Sequence, residues 1–265
     1  MSFFRAYSTL GCPEASLEEA LALAATYGLQ GIELRSLEGT VDLPALLTRR
    51  YGTPEAFAAR VAAQPVRVVG LNTSLKLCGS DDAAWSDVEA YLPWAEALGG
   101  VRLRVFDGGS KGDEAELAEM AARFKAWRTR RAARGWKSDL MIETHDSLCR
   151  AETIQALAAR VESLPILWDT HHTWKRGGED PVVTWRAIRP LVVHLHVKDS
   201  ISAPSARHPF TYVLPGAGEF PMAPLRAALV ADRCDRPVSL EWERLWHPYL
   251  DPVGRALEVA AGGWW

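Results

Sequence analysis

VVHLHVKD, residues 192–199, sets Val193, Leu195 and Val197 on one parity and His194, His196 and Lys198 on the other. Side chains along a strand alternate between its two faces, so the histidines and the lysine share a side. A strand in a covered parallel sheet is expected to be apolar on both sides. Here only one parity is apolar, and the pattern recurs. In LMIETHDS (140–147) Ile142 and Thr144 stand opposite Met141, Glu143 and His145. In SLEWER (239–244) Leu240 and Trp242 stand opposite Ser239, Glu241 and Glu243. PILWDTHH (165–172) groups Leu167, Asp169 and His171, with His172 just beyond the strand. GIELRS (31–36) and VRLRVF (101–106) add Glu33 with Arg35, and Arg102 with Arg104. An unpaired buried charge costs several kcal/mol, so these inward groups must pair with one another or hold a ligand.

The segments belong to a longer alternation. Runs rich in β-formers at 4–9, 31–35, 66–72, 101–106, 139–144, 165–169, 191–197 and 237–243 are separated by amphipathic helical stretches. SLEEALALAATYG (16–28) opens on a Ser16/Glu19 capping box and stops at Gly28. PEAFAARVAAQ (54–64), DDAAWSDVEAYLPWAEALGG (81–100), the long segment 113–135 and DPVGRALEVAAGG (251–263) follow. Eight such strands alternating with helices in 265 residues fit the α/β class as a (β/α)8 TIM barrel, one domain over residues 1–265. A doubly wound sheet would carry a Gly-rich phosphate turn after its first strand, where this chain has LGCPEAS.

Composition agrees with a globular protein: 48% apolar, 24% charged, formal net charge −3. No apolar run approaches the ~20 residues of a membrane span. The opening MSFFRAYSTLGCPEAS does not read as a secretory signal, and Cys12, Cys78, Cys149 and Cys234 are scattered without a CxxC pair. Both features predict a cytoplasmic protein with reduced thiols. The slightly acidic total gives no reason to expect a nucleic-acid partner. The run 123–137 holds seven basic residues and no acid. It reads as a solvated helix face whose cations complement the dipole at the helix C-terminus.

In a (β/α)8 barrel the C-terminal strand ends converge on one mouth. The fifth to eighth strands end in Glu143, Asp169, His196 and Glu241. Three carboxylates aimed at one spot would repel one another, and a divalent cation is the simplest way to hold them together with the imidazole. Mn²⁺, Co²⁺, Mg²⁺ and Zn²⁺ all suit such donors, and open positions would remain for a substrate.

IETHD, WDTHH, HLHVKD and SLEWE, in this order at these strand ends, resemble the xylose isomerase-like TIM barrels. That superfamily includes sugar-phosphate isomerases and epimerases, inosose and 3-dehydroshikimate dehydratases, and type-IV apurinic endonucleases. GIELR, GLNTS and LRVFDGG match its second to fourth strands, and PGAGEFP resembles its Gly-x-Gly turn, so the likeness covers nearly the whole chain. It implies one divalent metal ion held by Glu143, Asp169, His196 and Glu241. It further implies deprotonation next to a carbonyl of a sugar or other polyhydroxylated small molecule, through an enediolate. Glu143, Glu241 or His145 would act as base, and Lys198 and His172 would hold the developing oxyanion or protonate a leaving group. Arg35, Asn72, Arg104 and Trp246 are the candidate substrate contacts. Isomerisation or epimerisation is the first expectation, and dehydration is kept close by His145 and Lys198, which stand where the dehydratases carry the same residues.

Some positions depart from the family. The ketose 3-epimerases carry an Arg six residues after the metal His, where this chain has Ser202. Arg207 or His208, in the long connection 199–220, could replace it, and that connection is either a lid over the site or a surface excursion. The endonuclease pattern lacks its Asp-x-His pair, with ARH in its place. Arg35 and Arg104 either meet a substrate phosphate or carboxylate, or pair with Glu33 or another interior carboxylate. The terminal GGWW is expected to dock on the barrel or on a second copy in a homo-oligomer.

Overall fold

A computed structural model of the chain describes residues 3–265. In chain order the elements are β1 (Phe4–Ser8), α1 (Leu17–Thr26), β2 (Gly31–Leu34), α2 (Leu43–Tyr51), α3 (Pro54–Ala62), β3 (Arg67–Lys76), α4 (Asp82–Glu89), α5 (Leu92–Ala97), β4 (Arg102–Phe106), α6 (Glu114–Arg134), β5 (Leu140–Glu143), α7 (Ala151–Ala158), β6 (Ile166–Asp169), α8 (Thr170–Lys175), α9 (Pro181–Ile188), β7 (Val192–Val197), β8 (Asp199–Ile201), β9 (Thr211–Val213), α10 (Met222–Ala231), β10 (Pro237–Leu240) and α11 (Val253–Val259). Parallel pairing closes the barrel in the order β1-β10-β7-β6-β5-β4-β3-β2. Every expected strand is present. The register sets Asp169 beside His196, His196 beside Ser239, and Phe106 beside Glu143. Side chains from distant parts of the sequence therefore share one level of the barrel.

The outward parity fills the layer between strands and helices. Ile142, Leu195, Val197, Leu240 and Trp168 are fully buried. The Trp168 ring stacks on Trp185 of α9 at 6.1 Å, and its Nε1–H donates to Thr173 Oγ1. Fully burying a side chain of this size stabilises the fold by about 1.5–3 kcal/mol, and this ring of apolar contacts holds the barrel rigid.

Local sequence decides the helix boundaries. The Ser16/Glu19 capping box opens α1 as expected. Residues 81–100 form two helices rather than one: α4 ends before Ala90 and α5 restarts with Pro93 in its first turn. Proline lacks an N–H and clashes with the preceding turn, so it fits a helix start but not an interior. The basic run lies on α6, with Arg131 and Arg134 in the last turn and Gly135 closing it in a left-handed conformation. Arg128 and Arg131 donate to backbone carbonyls beyond the helix. The run is structural.

The connection after β7 is built. β8 and β9 pair antiparallel. The Asp199 carboxylate accepts hydrogen bonds from the backbone N–H of Ser200, Gly216, Gly218 and Phe220. Any Cβ at Gly218 would lie 2.1 Å from Asp199 Oδ1, which explains the second glycine of PGAGEFP. At the C-terminus Trp265 is buried and the Trp264 ring lies 6.3 Å from Phe220, so GGWW docks on its own barrel. No helix among the described residues is long and apolar enough to cross a membrane.

Candidate active site

Four strand ends bring Glu143, Asp169, His196 and Glu241 together, with one donor atom from each within 4.8 Å of the others. All four are buried. Asp169 divides its carboxylate between two tasks. Oδ1 caps α8 by accepting from the N–H of His171 and His172, which leaves Oδ2 facing the cluster. Thr144 Oγ1, on the neighbouring strand end, accepts from Asp169 N–H and fixes the level of the residue.

His196 is oriented from behind. Its Nε2 lies 3.0 Å from Glu33 Oε2, leaving Nδ1 facing Glu241 Oε2 at 3.3 Å and Glu143 Oε1 at 3.6 Å. Glu33 also lies 3.2 Å from His194 Nε2, which in turn meets Ser239 Oγ at 2.7 Å. Metal-binding histidines are commonly held in this way, by a carboxylate on the ring nitrogen away from the ion. Glu143 Oε2, Asp169 Oδ2 and His196 Nδ1 are buried and meet only charged neighbours: Arg104 Nε at 3.1 Å, Lys198 Nζ at 2.7 Å and Glu241 Oε2 at 3.3 Å. Three carboxylates and one imidazole converging on one buried point form an oxygen-rich donor set that fits a divalent cation.

Lys198 is the cationic counterweight. Its ammonium lies 2.7 Å from Asp169 Oδ2, 2.5 Å from Glu241 Oε2 and 2.7 Å from Glu243 Oε1. Burial works against its charge, but these carboxylates hold its pKa well above the ordinary lysine value. Burial likewise opposes ionisation of Glu241, yet His196 and Lys198 hold it well below the usual carboxylate range. Asp169 is pushed up to about 6 by burial, reinforced by Glu241 and Glu143 against the pull of Lys198.

Two further histidines border the same space. His145 is raised despite its burial, by the Asp146 carboxylate at 2.9 Å and the charge of Glu143. His172 is pushed well below the ordinary value by burial and by Lys198 and His145, so it is neutral. The two rings meet edge-on at 4.8 Å. A small cavity above the cluster is lined by Leu10, Arg35, Arg104, Phe106, Glu143, His145, His172, Lys198, Glu241, Glu243 and Trp246. Trp246 stands at its rim, 38% exposed.

The other expected residues divide. Asn72 is buried on β3, level with Arg104 on β4. Arg104 pairs with Glu143 at 3.1 Å (Nε to Oε2) and lies over the Phe106 ring at 3.9 Å. Glu33 pairs with the histidines and with neither arginine. Arg102 sits at the exposed N-terminal end of β4. His171 does not share the cluster with Asp169. The chain turns helical at Thr170, which directs its ring to Ser200 Oγ at 2.8 Å and against Phe210 and Tyr212. His208, in the long connection, stacks on Phe210 and does not line the cavity. Tyr212, brought in by the β8–β9 hairpin, donates to Glu243 Oε1 at 2.8 Å and lies over the Lys198 ammonium at 5.6 Å. No sequence signal singled it out beyond the unusual length of its loop.

A closed parallel barrel with carboxylates and imidazoles converging at its C-terminal mouth defines a TIM-barrel protein. The sequence profile of the xylose isomerase-like TIM barrel family matches residues 21–261, and the chain belongs to that family. No curated protein matches the sequence. Among solved structures, the probable 3-DHS dehydratase AsbF of Bacillus anthracis superposes with a TM-score of 0.79 at 20% identity, covering 99% of this chain and 98% of its own. The IOLI protein with a bound zinc atom superposes at 0.74 with 17% identity over 98% and 96% of the two chains. The 3-keto-D-glucoside 4-epimerase YcjR of E. coli superposes at 0.69 with 13% identity over 98% of each. At these identities the likeness is one of fold.

Proposed function

We propose that this protein is a divalent-metal-dependent isomerase or epimerase of a sugar or sugar phosphate, moving a proton on a carbon next to a carbonyl. The supporting observation is the convergence of Glu143, Asp169, His196 and Glu241, with one buried donor atom from each within 4.8 Å of the others. These four residues would hold the cation, which when bound supplies Lewis-acid polarisation of a carbonyl. The rest is done by the chain. Glu241 and Glu143 are both held below the ordinary carboxylate value, so each is a weak base in this state. His145 lines the cavity, and the Asp146 carboxylate and the charge of Glu143 raise its pKa, so its neutral form is a stronger base than an ordinary imidazole. Lys198 stays an ammonium and faces the negative charge that develops on the enediolate oxygen. Neutral His172 orients a substrate hydroxyl, Arg35, Asn72 and Arg104 donate to the substrate's oxygens, and the Trp246 ring covers an apolar sugar face.

Dehydration is the second reading, favoured by the placement of His145 and Lys198 on one cavity. There the α-proton passes to His145, the β-carbon–oxygen bond breaks, and the departing hydroxide takes a proton from Lys198 and leaves as water. A panel of ketoses, inososes and dehydroshikimate incubated with the metal-loaded protein in deuterated water separates the two. Deuterium uptake without loss of water is the expected result, and an unsaturated product with no exchanged substrate would replace the isomerase by the dehydratase.

A further inference from the structure

Arg35 beyond β2 and Arg104 on β4 line the cavity across from the carboxylate cluster, and Asn72 on β3 stands level with Arg104. Arg35, just past β2, is 6% exposed, and its guanidinium makes one hydrogen bond, from Nη2 to Ser74 Oγ at 3.0 Å. Arg35 Nη1 is buried without a partner. Arg104, 1% exposed, has Nη1 in the same condition, its Nε being spent facing Glu143. Asn72, fully buried between them in the barrel wall, leaves both its amide nitrogen and its amide oxygen unpaired. Among the described residues no carboxylate comes within ion-pair distance of Arg35. Burial and the like charge of Arg104 push its pKa down to about 10, so it remains a cation at neutral pH.

A buried cation with no counter-ion costs several kcal/mol, and a fold keeps one where a ligand supplies the opposite charge. Guanidinium forks match planar carboxylates in bidentate geometry. The cavity between this wall and the cluster is small, and Arg104 is already half-compensated by Glu143, so the charge left to balance is that of one guanidinium. We infer that Arg35 and Arg104, with Asn72 beside them, form a carboxylate-binding subsite, and that the sugar taken by the proposed reaction is a sugar acid whose carboxylate docks here while its hydroxyl and carbonyl oxygens face Glu143, Asp169, His196 and Glu241. The inference rests on the proposed function for the second half of this placement, and the subsite itself stands on the arginine wall alone.

The test is calorimetric titration of the metal-loaded protein with D-gluconate, D-glucitol and D-glucitol 6-phosphate, with wild type, Arg35→Gln and Arg35→Lys compared. Gluconate binding at least about 10-fold tighter than glucitol in wild type, a preference shrinking to about 3-fold or less in Arg35→Gln and partly kept in Arg35→Lys, is the expected result. Equal affinity of gluconate and glucitol, or no gluconate binding at millimolar concentration, overturns the subsite. So does a preference that survives Arg35→Gln, since it would then come from chelation at the cluster. Tighter binding of the phosphate than of gluconate overturns the assignment to a carboxylate. Arg35→Lys, which keeps the charge, guards against a Gln variant that fails to fold. Proton exchange of neutral ketoses in deuterated water without any carboxylate preference would leave the proposed function intact and remove the subsite. A carboxylate preference in a protein that binds no metal would do the reverse.

Discussion

The two walls of one cavity handle charge in opposite ways. The wall of β5, β6, β7 and β10 is crowded with acids, and almost every charge on it is answered: Lys198 by three carboxylates, His196 by Glu33, Asp169 by its helix cap. The wall of β2, β3 and β4 is cationic, and much of its donor capacity is unanswered, at Arg35, Asn72 and Arg104. In the metal-free protein the acidic wall is held by its own cations, while the arginine wall lacks a counter-charge of its own. A compensated buried network behaves as structure until one member is removed. An uncompensated buried donor is already without its partner, so its removal costs the fold little and falls on binding instead.

That contrast is sharpest in stability. Lys198→Met leaves Asp169, Glu241 and Glu243 facing one another without their ammonium, and is expected to destabilise the metal-free protein by about 3–5 kcal/mol in chemical denaturation. A loss below about 1 kcal/mol would mean the acidic wall is not held by this pairing. Next, Glu33→Gln weakens the hold on the His196 ring and should lower affinity for Mn²⁺ or Zn²⁺ by about 10- to 100-fold, as measured by competition with a chelator. Unchanged affinity would separate Glu33 from the cluster. Arg35→Gln should change stability by no more than about 1 kcal/mol in the same denaturation experiment, because no carboxylate loses a partner. A drop as large as that of Lys198→Met would erase the distinction between the walls.

The smallest effect is on His145. In the metal-free protein burial lowers its pKa, but the Asp146 hydrogen bond and the Glu143 charge outweigh it and set the value above 6.5. A cation on Glu143 cancels part of that charge, so the pKa falls on metal loading, and the protonated fraction at neutral pH falls with it. An NMR titration of the ring proton with and without Zn²⁺ reads this directly. No shift would place the metal away from Glu143.

Much of this was legible in the residue pattern. Period-two alternation located all the barrel strands, because parallel strands under helices need one fully apolar parity and here the other carried the chemistry. The four strand-end residues followed from the convergence that every such barrel imposes. What the pattern could not carry depends on closure and on chain turns. Glu33 lies 163 residues from His196 in sequence, and only the stagger of the closed barrel decides that it meets the histidines rather than the arginines. His171 has the parity of Asp169 only while the chain stays extended, and α8 begins one residue too early for that. Tyr212 reaches Glu243 because the connection after β7 folds back as a hairpin, a tertiary arrangement with no local periodicity.

The central claim is that the acidic wall is a metal centre, and elemental analysis after incubation with Mn²⁺ or Zn²⁺ tests it most directly, on wild type and on Glu241→Ala. About one metal ion per chain in the wild type, reduced to about one-tenth or less in the variant after desalting, is the result the geometry predicts. No metal in either protein, or equal metal in both, would contradict it and leave the four strand-end residues as a network of ion pairs.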